Sequence, residues 1–260
     1  MNEDTIRRYG DELHQAWAGR TPVAPLTERE PGITIDDAYR IQLRMIQHRL
    51  DAGETVIGKK IGVTSQVVMQ MLGVDQPDFG HLLSGMVANE GEAIRADSLI
   101  APKAEAEVAF VLERDLHGPG VTAADVLRAT AFVMPCFEIV DSRIRDWKIR
   151  IQDTVADNAS CGLLVLGGTR RHPRDLDLAL AGMVLEKNGE VISTSTGASV
   201  QGSPVNAVAW LANTLGRLGI ALKAGEVILS GSQSPLVPVV AGDSLHCSVG
   251  GLGSAGVRFI

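Results

Sequence analysis

The chain changes texture near residue 54. Before it, apolar positions recur at helical spacing; after it, short apolar or alternating runs are punctuated by glycine. In the first part, Thr34-Ile-Asp-Asp37 reads as a capping-box variant. Ile35, Ala38, Ile41, Met45 and the Leu50 region then share one helical face, and Gly53 supplies a stop. An earlier helix is expected over roughly Thr5 to Trp17, followed by a loop holding Pro22, Pro25, Pro31 and Gly32. In the second part, residues 56–63 read as a strand and Thr64 to Leu72 as a short helix. Thr122-Ala-Ala-Asp125 caps another short helix ahead of a strand at residues 133–140. Lys187-Asn-Gly-Glu190 is a two-residue hairpin signal. Ser203-Pro204 opens a helix whose stripe Val208, Leu211, Leu215 and Leu218 ends at Gly219. From Gly225 to Ile260 the chain is strand-rich, with turns at Ala241-Gly-Asp243 and Gly250-Gly251. The order predicts an α+β chain: a helical segment over residues 1–54, then a mainly β domain over 55–260.

Against that pattern, three glutamates stand where apolar residues belong. Glu105 and Glu107 fall in the strand-like run from Lys103 to Leu112 and, with a period of two, share a face with Ala109 and Val111. Glu138 is flanked by Phe137 and Ile139 in a second such run. An unpaired buried carboxylate is costly, so such groups are paired, protonated or bound to a metal. Three together point to a hard divalent cation such as magnesium or manganese, which prefers oxygen ligands. The competing reading is a solvated strand edge or pairing with a base such as Lys103, and spacing alone does not bring Glu138 to the other two.

Other candidate chemistry lies nearby in sequence. Gly58-Lys-Lys-Ile-Gly62 sets two lysines in an apolar strand, where alternation turns one inward as a counter-charge, acid or base, unless both are solvated at an edge. Gln76-Pro-Asp-Phe-Gly80 reads locally as a turn containing Asp78, and His81 after it as a surface histidine. The polar segments from Asp141 to Trp147 and from Asp153 to Ser160 are placed to support Glu138. Ser230-Gly-Ser232 offers hydroxyls and amides for a carboxylate, or is simply a turn.

Composition narrows the classes. A hydrophobic fraction of 45% is ample for a core, and a net charge of -7 argues against nucleic acid or an anionic membrane as partner. The basic cluster from Thr169 to Arg174 reads as a solvated loop. No run is long enough to span a bilayer, and the acidic N-terminus lacks an apolar signal core, so a cytoplasmic protein is expected. Cys136, Cys161 and Cys247 read as reduced core thiols. There is no phosphate loop, nucleophile elbow or histidine pair at zinc-ligand spacing.

The segments Gly58 to Ser65, Leu72 to Gly80, Ala104 to Glu107, Glu138 to Trp147 and Asp153 to Gly162 together carry a resemblance. Over essentially its whole length the chain resembles the 2-hydroxypenta-2,4-dienoate (2-oxopent-4-enoate) hydratases of aromatic meta-cleavage pathways, in the fumarylacetoacetate hydrolase superfamily. The resemblance implies a mixed β-roll core behind the helical N-terminal segment. It makes Glu105, Glu107 and Glu138 ligands for Mg2+ or Mn2+, and Lys60 and Asp78 the acid/base pair. Ser160, Ser230 and Ser232 are added as expected substrate contacts. A 2-oxo or 2-hydroxy dienoic acid is the expected substrate and a homo-oligomer, pentamer-based, the expected assembly. The related 4-oxalocrotonate decarboxylase shares the glutamates and the lysine, and is both the alternative activity and an expected partner, with a non-catalytic subunit of it a further alternative. In that branch the resemblance puts an apolar residue in place of Asp78, which favours hydration here.

Overall fold

A computed structural model describes residues 1–65, 69–70, 74 and 76–260; most of the helix expected over Thr64 to Leu72 lies outside the described residues. Helix α1 (Glu3–Gly19) starts where the Asn2 side chain accepts from Thr5 N. A short helix α2 (Leu26–Arg29) occupies the proline-containing loop. Four residues are too few to show a helical period, which is why the sequence pattern misses it. Helix α3 (Ile35–Asp51) opens on a reciprocal capping box between Thr34 and Asp37, and Gly53 follows its end at φ +96°. The apolar faces of α1 and α3, with Leu13, Ile41 and Met45, form one cluster with Ile144, Ile151 and Val155 from later in the chain.

Thirteen strands follow among the described residues. They begin with β1 (Val56–Gly62), β2 (Asp78–Leu83), β3 (Val87–Ala88), β4 (Ala93–Ile94), β5 (Lys103–Leu112), β6 (Thr130–Val140) and β7 (Cys161–Leu166). Next come β8 (Gly182–Lys187), β9 (Glu190–Thr196), β10 (Val227–Leu229), β11 (Val237–Pro238), β12 (Ser244–Val249) and β13 (Gly253–Phe259). The larger, mixed sheet runs β2-β1-β10-β5-β6-β7-β3, with β11 on β5; the smaller runs β4-β13-β12-β8-β9. The β8–β9 hairpin closes through Asn188 and Gly189, both at positive φ, as the Asn-Gly pair predicts. Helices α4 (Ala123–Ala129), α5 (Ile151–Ala156) and α6 (Pro204–Arg217) complete the chain; Thr122 and Ser203 cap α4 and α6.

The two faces of β5 and β6 have different fates. Ala106, Val108, Phe110, Phe137 and Ile139 join the main core with Val208, Leu211 and Leu215 of α6 and residues of the smaller sheet. On the opposite face Ala109, Met134 and Cys136 pack with Leu82, Leu164 and Ile46 of α3. Glu105, Glu107 and Glu138 continue that second face. All three cysteines are buried and free. Among the described residues no helix is long and apolar enough to cross a membrane.

The polar segments around α5 tie the helices to the sheet. Asp153 accepts from Thr27 N at 3.0 Å and Thr27 Oγ1 at 2.7 Å. Arg143, wholly buried, pairs with Asp157 and also donates to the Asp141, Asp157 and Cys161 carbonyls. Two expectations are overturned on this side. His81 is buried at 6% exposure, because it lies on β2 beneath α3 with Nδ1 3.0 Å from Gln42 Oε1; burial, and then the Lys59 charge, push its pKa down to about 4. Asp78 is not in a turn but begins β2, paired with Gly62 across the ladder. Removing one partner of a buried ion pair strands the other charge, so Asp157→Ala should lower stability by about 3–5 kcal/mol in denaturant unfolding. A loss below about 1 kcal/mol would mean that Arg143 is satisfied by carbonyls alone.

Candidate metal centre

Antiparallel pairing places Glu105 directly opposite Glu138 and Glu107 opposite Cys136. One oxygen from each glutamate lies within 4.8 Å of the others. Glu107 and Glu138 are fully buried, while Glu105 reaches the cleft. Gly231 N donates to Glu107 Oε2 at 2.8 Å. Glu107 Oε1 and both oxygens of Glu138 receive no hydrogen bond from a described residue. Lys60 Nζ, 3.1 Å from Glu138 Oε1, supplies an ion pair there while donating its hydrogen bond to the Ala159 carbonyl at 2.8 Å.

One ammonium does not neutralise two buried carboxylates and a third at the cleft wall. Burial, then the Glu138 charge, raise the pKa of Glu105 to about 7. The same causes push Glu107 well above the carboxylate range, and burial raises Glu138 against the opposing pull of Lys60. Burial alone would lower the pKa of Lys60, but the facing Glu138 and Asp78 outweigh it and the net shift is upward. Orphaned oxygens converging in an all-carboxylate set fit a hard divalent cation.

Asp78 and Lys60 meet at Gly62. A Cβ at Gly62 would lie 2.2 Å from Asp78 Oδ1 and 3.2 Å from Lys60 Nζ, so only glycine admits both side chains. Asp78 is buried; Thr154 Oγ1 makes a long 3.4 Å contact with Oδ2, and Oδ1 has no partner among the described residues. Burial raises its pKa, with Lys60 opposing. Val63 turns the chain at φ +57°, an unfavourable conformation for a β-branched residue. Asn158, Ala159 and Ser160 are all left-handed too, at φ 53°, 50° and 55°, which aims the Ala159 carbonyl at Lys60. This turn is clamped: the Asn158 carboxamide accepts from His81 N at 2.7 Å and donates to His81 O at 2.9 Å.

A cavity of about 240 Å³ opens on Lys60, Asp78, Glu105, Lys103, Trp147 and Ser160. A second, of about 490 Å³, shares Gly62, Val63, Glu105 and Leu236 with it. A surface cavity of about 630 Å³ beside Arg174 and Asn206 holds none of these groups, so size does not mark the chemistry.

Lys60, Asp78, Ser160 and the three glutamates are thus gathered at one cleft. Ser232 lines the second cavity, but its hydroxyl donates to Ser234 O at 2.8 Å. Ser230 is wholly buried and donates to Val108 O at 2.7 Å, behind the glutamates and away from the cleft. The Ser-Gly-Ser loop does hold a carboxylate by its amide, that of Glu107. Lys59 is not solvated: its Nζ is 2.8 Å from Glu226 Oε1. Lys103, which the sequence offers as a partner for the glutamates, instead sets its ammonium 4.0 Å over the Trp147 ring. Thr154 falls in the polar segment expected to support the site, whereas Gln233 has no local signal in the sequence.

Residues 66–260 match the fumarylacetoacetate (FAA) hydrolase C-terminal family. The chain belongs to the fumarylacetoacetate hydrolase family. Within it, a 2-hydroxyhexa-2,4-dienoate hydratase of Comamonas testosteroni is 55% identical over 256 residues, 98% of this chain and 97% of the relative. A 2-hydroxypent-2,4-dienoate hydratase of Pseudomonas putida is 62% identical over 222 residues, 85% of this chain and all of the relative. The 4-oxalocrotonate decarboxylase from Pseudomonas putida G7, solved with magnesium and adipate, superposes with a TM-score of 0.97 at 35% identity, covering 100% of this chain and 99% of that one. A fumarylpyruvate hydrolase from Pseudomonas aeruginosa, at 15% identity and a TM-score of 0.62 over 78% of this chain and 88% of its own, shares the fold.

Each glutamate has a folded pKa above its unfolded value. The metal-free fold therefore binds extra protons, for Glu105 between about 4.5 and about 7, and loses stability as pH rises through that window. A cation bound by these carboxylates would replace those protons. Added magnesium or manganese should raise the melting temperature of the metal-free protein more at about pH 8 than at about pH 5. A shift of equal size at both would count against binding by these carboxylates.

Proposed function

We propose that the chain is a divalent-cation-dependent hydratase that adds water to 2-hydroxypenta-2,4-dienoate, giving 4-hydroxy-2-oxopentanoate in aromatic meta-cleavage catabolism. The observation that carries this reading is Asp78, buried beside Lys60 at Gly62, at the edge of the carboxylate cluster. The names of relatives 44–62% identical to the chain support it. Glu105, Glu107 and Glu138 would hold Mg2+ or Mn2+. Bound there, the cation supplies Lewis-acid polarisation of the substrate 2-oxygen and offsets negative charge on it.

The protein's own groups then manage protons. Lys60 and Asp78 share the transfers that move a proton from the 2-hydroxyl to carbon 5, giving the conjugated 2-oxo-3-enoate. They next steer water: its oxygen bonds to carbon 4, one proton goes to carbon 3, and the sum is one water added. Asp78, whose Oδ1 has no side-chain partner among the described residues and whose pKa is raised by burial, is suited to give and take a proton. Lys60 is held as a fixed ammonium by Ala159 and Glu138. Ser160, 3.3 Å from Thr154 Oγ1, lines the same wall.

A decarboxylase is the second reading, favoured by the superposition with 4-oxalocrotonate decarboxylase. Loss of carbon dioxide needs a proton for carbon but no group to direct a water, and Asp78 is the residue it leaves idle. Loss of dienol absorbance from 2-hydroxypenta-2,4-dienoate, set against carbon dioxide release from 2-oxohex-3-enedioate, separates the two. A homo-oligomer, pentamer-based, and association with such a decarboxylase belong to the same proposal; sedimentation and co-purification test them.

Asp78→Asn should keep magnesium affinity and lose about 100- to 10,000-fold in hydration rate. An unchanged rate would remove Asp78 from the chemistry. Exhaustive chelation should abolish activity and added magnesium or manganese restore it; activity that persists through chelation would sink the mechanism.

A further inference from the structure

The carboxamide of Gln233 is buried at 4% exposure, yet neither Nε2 nor Oε1 has a hydrogen-bond partner among the described residues. Leaving both atoms unpaired is unfavourable, so fold stability does not account for this residue. Its backbone, in contrast, is pinned. Gln233 N donates to Ala106 O at 3.1 Å, and Ala106 N donates to Ser234 Oγ at 2.9 Å. Gln233 therefore lies against the residue between Glu105 and Glu107, and it lines the cavity of about 490 Å³ that shares Glu105, Gly62 and Val63 with the Lys60–Asp78 cavity. Its loop neighbours are committed: Ser232 Oγ donates to Ser234 O, and Ser234 Oγ to Pro235 O. That leaves the Gln233 amide as this loop's side-chain donor without a partner among the described residues.

We propose that Gln233 is a substrate-binding residue whose Nε2–H receives the 1-carboxylate of the 2-oxo acid. The inference rests on the hydratase reading. Lys60 and Asp78 must reach carbons 3 to 5, which places the hydrocarbon end in the first cavity, walled by Val140, Trp147 and Ile149. The acid end then points past Glu105 into the second cavity, where a carboxylate, an acceptor only, meets a donor without a partner.

Calorimetric titration of the magnesium-loaded protein with 2-oxopentanoate, a saturated 2-oxo acid with no double bond to hydrate, tests this. Gln233→Met keeps the volume and removes both polar atoms; it should weaken binding about ten- to a hundredfold with magnesium affinity unchanged. Gln233→Glu, which sets a like charge against the carboxylate, should weaken it at least as much. Wild-type binding by both variants overturns the role of Gln233 and leaves the hydratase reading standing. A parallel loss of magnesium affinity in Gln233→Met also overturns it, since the residue would then support the glutamates. Failure of the wild-type protein to bind 2-oxopentanoate overturns the hydratase reading and this inference with it.

Discussion

Glu105 and Glu138 face each other across the β5–β6 ladder, with Glu107 one pleat away; Glu107 and Glu138 are closed to bulk water and Glu105 borders the cleft. Like charges in directly opposed positions destabilise a sheet, and burial amplifies the repulsion. Much of the architecture answers that constraint. β1 stands two strands from β5, and its Lys60 extends to Glu138; the loop after β10 turns an amide toward Glu107. These donors leave a net deficit of positive charge, which protons or a divalent cation must fill. The fold is thus built around a site that is unfavourable when empty of both.

Holding Lys60 in place requires backbone strain, and the strain is located where rigid supports converge. Three successive left-handed residues aim the Ala159 carbonyl at the ammonium, although none is glycine. Asp157 before them is anchored by buried Arg143, and Asn158 grips both backbone groups of His81 on β2. Because His81 follows Asp78 by three residues on the same strand, one side chain couples the position of the lysine to that of the aspartate. The N-terminal helices enter through Gln42, which donates to the carbonyls of Phe79 and Val155 and contacts His81. They act as a brace for the site as well as a cover for the sheet.

What sequence pattern could reveal was set by locality. Caps, the Asn-Gly hairpin and the α6 stripe through Leu215 are signals within a few residues and appear where expected, whereas Leu218, given to the same stripe, lies past the helix end and is exposed. The alternation that puts Glu105 and Glu107 on one face is equally local. The partnership with Glu138 depends on strand register, which two separate runs do not encode. Asp78 and His81 were misplaced because Pro-Asp-Phe-Gly carries turn chemistry, whereas the ladder with β1 keeps the segment extended. Gln233 was silent: its significance is the lack of a partner, and only a three-dimensional contact set defines that.

A TM-score of 0.97 with a decarboxylase at 35% identity separates scaffold from reaction. In the proposed mechanism the glutamates and Lys60 would account for chelation of a 2-oxo acid and stabilisation of an enolate, which hydration and decarboxylation both need. On the proposed mechanism, what distinguishes addition of water is a second proton carrier close to the first. Here that carrier occupies space that exists only because residue 62 has no side chain. A methyl group at position 62 would expel the Asp78 carboxylate toward the cleft, and an apolar residue at position 78 would leave Lys60 facing Glu138 alone. On the proposed mechanism, hydration therefore depends on Gly62 and Asp78 jointly, more than on either residue separately.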